Sequence, residues 1–259
     1  MASSTHSAEL AFALTLADRA DAISLSRYQA LDLEITTKPD NSPVTDADKA
    51  VERAIIDAIA TQYPTDGVVG EEFGSRGSKD RYWVIDPIDG TKNFLRGVPT
   101  WATLIALVEN EQVVTSVVSS PALYRRWYAT AGGGAFVVEG NSTARKLSVS
   151  KVSAISDASI AYSDFQGWGA RRPAFEKLLG SAWRTLGLGD FWSHMLVAEG
   201  AVDVAIEPSL ALWDMAALDL IVREAGGRLT SLDGADGPFG PNAISTNGAL
   251  HSAILEAIN

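Results

Sequence analysis

Residues 82–94 read YWVIDPIDGTKNF, and how this stretch is read decides the fold and much of the chemistry. Tyr82, Trp83, Val84 and Ile85 form a β-prone apolar run, which is expected to end at Asp86, with Pro87 and Gly90 shaping the turn that follows. A strand that delivers Asp86 and Asp89 at its end presents two carboxylates to one place. Such oxygen ligands suit a hard cation such as Mg²⁺, which takes one or two protein carboxylates and completes its shell with water and phosphate. Asp, Pro and Gly are also ordinary turn formers, so the motif taken alone is equally compatible with a surface turn.

Outward from this stretch, two more acidic motifs stand at element ends. Val68, Val69 and Gly70 read as a short strand closing on Glu71 and Glu72, and Trp213 and Asp214 open an apolar helix running through Met215, Ala216, Ala217, Leu218, Leu220, Ile221 and Val222. Carboxylates at strand ends and a helix start can converge in space. If Glu71, Asp86, Asp89 and Asp214 do so, each uncompensated charge would cost several kcal/mol, on the order given by buried ion energetics, and divalent metal is the simplest resolution.

Composition narrows the function classes. With no cysteine, disulfides, thiolate metal sites and cysteine nucleophiles are excluded, and none of His6, His194 and His251 pairs with another at ligand spacing, which argues against zinc. Lys and Arg number 21 against 32 acids, a formal charge of −11 that repels nucleic acid. A phosphate ester fits such a surface only where bound cations reverse the sign locally. The apolar run Leu10–Leu16 is short and is followed by Asp18, Arg19 and Asp21, so no signal peptide is read. Without a run approaching the roughly 20 apolar residues of a membrane helix, a cytoplasmic protein is expected. The 259 residues fit one large domain or two packed halves.

Helical spacing of Leu10, Ala13, Leu14, Ala17 and Ala20 predicts a first helix over 7–31. A loop over Lys38–Pro43 leads to a second helix, with Thr45 as N-cap, Val51, Ala54, Ile55, Ala58 and Ile59 as its buried stripe, and an end at Tyr63 and Pro64. Thr45 and Asp48 have capping-box spacing, so Asp48 has a structural reading as well as a functional one. Runs at 100–109, 111–120, 125–130 and 135–138, separated by turn signals, predict a mainly antiparallel sheet. Gly132, Gly133 and Gly134 read as a hairpin rather than a phosphate loop, since no P-loop lysine follows. From Ser159, strands at 159–162, 183–186 and 202–206 alternate with helices near 173–180, 190–200 and 214–225, and the segment 229–232 with the apolar end 249–258 completes an α/β half. The change of composition over Lys146–Ala158 is the seam between residues 1–148 and 149–259.

In order and separation, GEE at 70–72, DPIDGT at 86–91 followed by Asn93 and Phe94, and WDMAA at 213–217 resemble the inositol monophosphatase family of Mg²⁺-dependent phosphatases. The resemblance implies an α+β to α/β fold, a layered α-β-α-β-α sandwich whose two subdomains share a cleft, and a homodimer. It implies two or three Mg²⁺ per site. Glu71, Asp86 and the Ile88 carbonyl would hold one; Asp86, Asp89 and Asp214 would hold a second. Asp48, Thr91 and Glu71 would orient the attacking water, while the Gly90 and Thr91 N–H groups, beside Asp89 and Asp214, would hold the phosphate.

The leaving group must be read elsewhere. GDFWSHMLVAEGAVDVAIEP, residues 189–208, resembles the histidinol-phosphate phosphatase branch of that family, used in histidine biosynthesis. This implies hydrolysis of L-histidinol phosphate to L-histidinol and phosphate by metal-activated water. Asp190, following Gly189, and Glu207 would pair with the ammonium and imidazolium while Phe191 and Trp192 pack the ring. Core packing is the rival reading for these aromatics and for Met195, helix capping the rival for Asp190, and His194 is read as structural. Inositol 1-phosphate, or a broad range of sugar and nucleotide phosphates, is the alternative substrate class. A metal-dependent binding protein without turnover is a more distant alternative, against which Asp48 and Thr91 weigh.

Overall fold

The structure is a computed structural model, and it describes residues 6–38 and 43–259. In chain order, α1 (Ser7–Arg27) leads to strands β1 (Ile35–Thr37) and β2 (Pro43–Thr45), and then to α2 (Asp46–Gln62). Next come β3 (Gly67–Gly70), β4 (Gly74–Arg76), β5 (Arg81–Asp89) and the short α3 (Thr91–Leu95). A meander follows: β6 (Ala102–Glu109), β7 (Gln112–Ser120), β8 (Arg125–Thr130), β9 (Gly134–Glu139) and β10 (Arg145–Lys146). The last part comprises β11 (Ser159–Tyr162), α4 (Arg172–Ser181), β12 (Arg184–Gly187), α5 (Asp190–Ala198) and β13 (Val204–Glu207). It closes with α6 (Leu212–Glu224), β14 (Arg228–Thr230), β15 (Ala243–Thr246) and α7 (His251–Ile258).

Two larger sheets organise these elements. The first has eight strands in the order β10-β9-β8-β7-β6-β5-β3-β4, antiparallel throughout except where β3 runs parallel to β5. The second has five, β12-β11-β13-β15-β14, with β11 parallel to both its neighbours. Helices α1 and α2 cover one face of the first sheet, burying Leu16, Ala20, Ile55 and Ile59 against Trp83, Ile85 and Leu107. The other face packs Val84, Leu104 and Trp127 against Phe191 and Met195 of α5 and Leu218 and Ile221 of α6. Val197 of α5 meets Ala161 and Ala205 of the second sheet, whose far face packs Ile160 and Val204 against Phe175 of α4 and Ile254 of α7. The result is an α+β sandwich in five layers, α-β-α-β-α. Because α6 lies against both sheets, the acid at its start can face the acids at the end of β5.

Most element readings survive, with informative differences. The first helix stops at Arg27 because Tyr28 turns extended, φ −61° and ψ 122°. Thr45 caps α2 as expected, and the box is complete: its hydroxyl accepts the Ala47 and Asp48 N–H groups while Asp48 accepts the Thr45 N–H at 2.8 Å. That reciprocal cap contributes about 1 kcal/mol. The expected loop over 38–43 flanks a β1–β2 hairpin, with residues 39–42 outside the described residues. The short β15 carries no periodic signal in the sequence; it is made by pairing with β13 and β14. The three glycines do form a hairpin. Their loop also grips an anion from this chain, since the Gly132 and Gly134 N–H groups donate to the Glu224 carboxylate of α6 at 2.7 and 2.8 Å.

Candidate active site

The strand expected to end at Asp86 does not end there: β5 continues to Asp89. Along it, side chains alternate between faces, Trp83 and Ile85 toward α1 and α2, Tyr82 and Val84 toward α5 and α6. Asp86 keeps this phase and faces α6. Asp89, three residues on, would point the opposite way in a regular strand. The pairing with β6 shifts, however, from Asp86↔Leu104 to Asp89↔Ala102, so three steps on β5 match two on β6. This bulge carries one extra residue and returns Asp89 to the α6 face. Pro87, which has no N–H to offer a ladder, sits within the bulge, and its carbonyl accepts the Thr103 hydroxyl at 2.8 Å.

From α6, Asp214 completes the group. Its Oδ2 caps its own helix by accepting the Ala211 N–H at 2.7 Å. One carboxylate oxygen each from Asp86, Asp89 and Asp214 lie within 4.8 Å of one another. Glu71, just beyond β3, lines the same cavity of about 460 Å³, together with Ile88, Gly90, Thr91 and Asp190. The four acids named from separate parts of the sequence therefore meet.

Their electrostatics are those of a site built around positive charge. Burial pushes Asp86 well above the usual carboxylate range, and the charges of Glu71, Asp89 and Asp214 push it further. Burial does the same to Asp89, with Asp190 and Asp214 adding to it, and Asp214 is pushed up to about 6 by burial foremost. One Asp86 oxygen, Oδ1, is buried with no hydrogen-bond partner among the described residues. Three crowded carboxylates with an orphan oxygen and only oxygen donors fit a hard divalent cation. Asp86, Asp89 and Asp214, with Glu71 beside them, are the residues that would hold it.

Asp89 has a second task that the sequence did not announce. Its Oδ2 accepts the Phe191 N–H at 2.6 Å, capping α5 from across the chain. Asp190, read from sequence as a rival cap, makes no capping bond; it is the first helical residue, with φ 51°, and its Oδ2 accepts from Asn93 Nδ2 at 3.3 Å. Asp89→Ala should therefore be about 1–2 kcal/mol less stable than Asp89→Asn in metal-free protein, since both shed the crowded charge and only Asn retains the acceptor oxygen. Thermal denaturation in chelator checks the difference.

The remaining predicted residues fall into two groups. Asp190, Gly90 and Thr91 line the cavity, and burial pushes Asp190 up to about 6. The Thr91 hydroxyl donates to the Ile88 carbonyl at 3.0 Å. Gly90 takes φ 81°, and a Cβ there would lie 2.9 Å from the Thr100 carbonyl oxygen, so only glycine makes this turn. Asp48, Gly189 and Glu207 do not line the cavity. Asp48 lies buried near Glu72 and Glu71, its Oδ1 has no partner among the described residues, and burial pushes it up to about 6. Glu207 is buried, accepts the Ser163 hydroxyl, and is pushed up to about 8 by burial.

The expectation that Phe191 packs a substrate ring is overturned, and Trp192, half-buried, is not among the residues that line the cavity. Phe191 is fully buried where α5 packs on the first sheet, with its N–H on Asp89, and Trp192 packs edge-to-face on Trp127. His194 is structural as read: it is buried, its Nδ1 bonded to the Ser245 hydroxyl at 2.7 Å.

Sequence reasoning missed the two lysines of the site. Lys38 Nζ lies 2.7 Å from Glu71 and 2.6 Å from Glu72, and Lys92 lines the cavity and lowers the Asp190 carboxyl against its burial. Lys92 lies inside the deciding stretch and was legible there as a cation beside DPIDGT.

Comparison with known proteins agrees with this geometry. A family model described as the inositol monophosphatase family matches residues 6–259. The histidinol-phosphatase of Mycobacterium tuberculosis is 53% identical over 255 residues, covering 97% of this chain and 98% of that protein. The histidinol-phosphatase of Streptomyces coelicolor is 52% identical over 257 residues, covering 97% of each. Among solved structures, an IMPase from Thermotoga maritima superposes with a TM-score of 0.86 at 29% identity, covering 97% of this chain and 96% of that one. A match that runs from the first described residue to the last, around acids that converge only in the folded chain, places the protein in the inositol monophosphatase family of metal-dependent phosphatases.

Proposed function

We propose that this phosphatase hydrolyses L-histidinol phosphate to L-histidinol and phosphate with Mg²⁺ as its metal. The observation that carries the reading is Asp190, a carboxylate on the wall of the acidic cavity, where it can accept the ammonium of an amino alcohol. Two relatives above 50% identity, those of Mycobacterium tuberculosis and Streptomyces coelicolor, carry the same activity in their names.

In this reading Asp86, Asp89, Asp214 and Glu71, with the Ile88 carbonyl, hold two or three Mg²⁺. Bound there, the cations supply a water of lowered pKa and neutralise charge on the ester and leaving oxygens. Thr91 and Glu71, on the cavity wall, orient that water with Asp48 supporting them from outside the cavity, and the Gly90 and Thr91 N–H groups hold phosphate oxygens. Gly189 gives Asp190 its approach, and Glu207, which accepts the Ser163 hydroxyl, is a second acid that a bound ammonium would draw into its charged form. We also infer a homodimer, a division into parts 1–148 and 149–259, and a place in the cytoplasm; among the described residues no helix is long and apolar enough to cross a membrane.

With saturating Mg²⁺, phosphate release from histidinol phosphate should exceed that from inositol 1-phosphate by at least about tenfold in kcat/KM, the order given by one charged pair. Equal or reversed rates would remove the substrate assignment and leave the phosphatase intact.

A further inference from the structure

Helix α2 turns two carboxylates, one turn apart, toward the segment that carries Glu71. Asp48 is the first. The second, Glu52, is 0% exposed and sits on an otherwise apolar face between Val51 and Ile55. Burying a carboxylate costs several kcal/mol, on the order of ion desolvation, unless hydrogen bonds replace its water. Here both oxygens are engaged by backbone: Oε2 accepts the Glu72 N–H at 2.8 Å and Oε1 the Phe73 N–H at 2.9 Å.

The opposite side of this turn is tied to β5, since the Glu71 N–H donates to the Ile85 carbonyl at 3.3 Å. Gly70 makes room for the arrangement. A Cβ there would lie 2.0 Å from Glu52 Oε1, so any other residue would expel the carboxylate from beneath the turn. Glu71 and the two residues after it are thus fixed between two elements by three bonds, and two of these end on one side chain.

We propose that Glu52 is a positioning residue for the metal site: by clamping the two N–H groups that follow Glu71, it sets where the Glu71 carboxylate points in the acidic cavity. The proposal rests on Glu71 being a metal ligand. Glu52→Gln keeps the size of the side chain but gives up one of the two acceptor oxygens.

The test is a Mg²⁺ titration of the full chain, followed by calorimetry and by activity, for the parent, Glu52→Gln and Glu71→Gln. Glu52→Gln should weaken Mg²⁺ binding about 10–100-fold, as loss of a group that orients a metal ligand does, while kcat at saturating Mg²⁺ stays within about threefold. Its Glu72 and Phe73 amides should exchange hydrogen faster than the parent's. Parent-like Mg²⁺ affinity in folded Glu52→Gln, with Glu71→Gln weakened, would overturn the proposal alone. Unchanged affinity in Glu71→Gln would remove the reading of Glu71 as a ligand and the proposal with it. Should Glu52→Gln not fold, the parent decides: Mg²⁺ should slow exchange at the Glu72 and Phe73 amides, by the reciprocity of coupled binding, and equal rates with and without Mg²⁺ would overturn the clamp.

Discussion

Asp86→Asn should lower kcat at saturating Mg²⁺ by about 10³-fold and, in the same protein held in chelator, raise the melting temperature. Both effects come from one physical fact. Asp86 is 2% exposed, stands among Glu71, Asp89 and Asp214, and has an oxygen with no partner among the described residues. With the cation bound, that oxygen is an asset: losing several kcal/mol of charge stabilisation in the transition state corresponds to about three orders of magnitude in rate. Without the cation it is a liability. Its folded-state pKa is raised, so the site loses stability as pH rises from the ordinary carboxylate range through the folded value.

The neutral amide removes that loss. Relief of about 1 kcal/mol would raise the melting temperature by about 2–4 °C in a chain of this size. The Mg²⁺-induced rise should shrink together with the rate. In the parent, Mg²⁺ at a hundred times its Kd stabilises by about 2.7 kcal/mol, and in Asp86→Asn most of this should be absent at the same concentration. Thermal denaturation with and without Mg²⁺, set beside steady-state rates, checks all three quantities. A metal-free variant less stable than its parent would show that Asp86 is held by contacts rather than strained by charge.

The second large effect is acid sensitivity. His194 lies buried between α5 and β15 with one ring nitrogen on Ser245 and the other, Nε2, without a partner among the described residues, and burial lowers its pKa to about 4. His251, held by the Thr230 and Thr246 hydroxyls at 3.0 Å each, is lowered to about 4 by burial as well. A histidine with a folded pKa below its unfolded value near 6.5 stays neutral in the fold while the unfolded chain takes up a proton. Its contribution is complete above the unfolded value and is lost as pH falls from 6.5 toward 4. For His194 the loss amounts to about 3 kcal/mol over that window.

The raised acids act in the opposite sense, since Asp48 and Asp214 at about 6 and Glu207 at about 8 lose stability as pH rises. The histidine contribution is therefore isolated by difference. His194→Asn should be less stable than the parent at pH 7, yet its stability should fall less steeply between pH 6 and 4.5, by close to one proton in slope. Chemical denaturation at several pH values measures this. Identical slopes would mean that His194 is already charged in the fold.

How much of this was legible before folding is clearest at particular residues. Thr45 and Asp48 could be read as a cap because both partners of that bond lie within one helical turn. GEE, DPIDGT and WDMAA could be read as one metal-dependent phosphatase because the residue types and their order carry the chemistry. Glu52 was passed over, although an acid one turn after Asp48 on an apolar face was a visible signal. Phe191 was assigned to a substrate ring because composition alone does not tell an aromatic that lines a pocket from one beneath it.

The sequence by itself determined the reaction class, the acids that meet in the cavity and most of the elements that carry them, since these follow from side-chain chemistry and from contacts between near neighbours in the chain. Tertiary structure alone decided that Asp89 shares a face with Asp86. Strand alternation separates residues three apart, and only a bulge, set by how β5 registers on β6, brings them back together. It alone decided, too, that Asp89 caps a helix 102 residues away and that Phe191 is buried beside that cap, because contacts between distant segments depend on the packing of everything that lies between them.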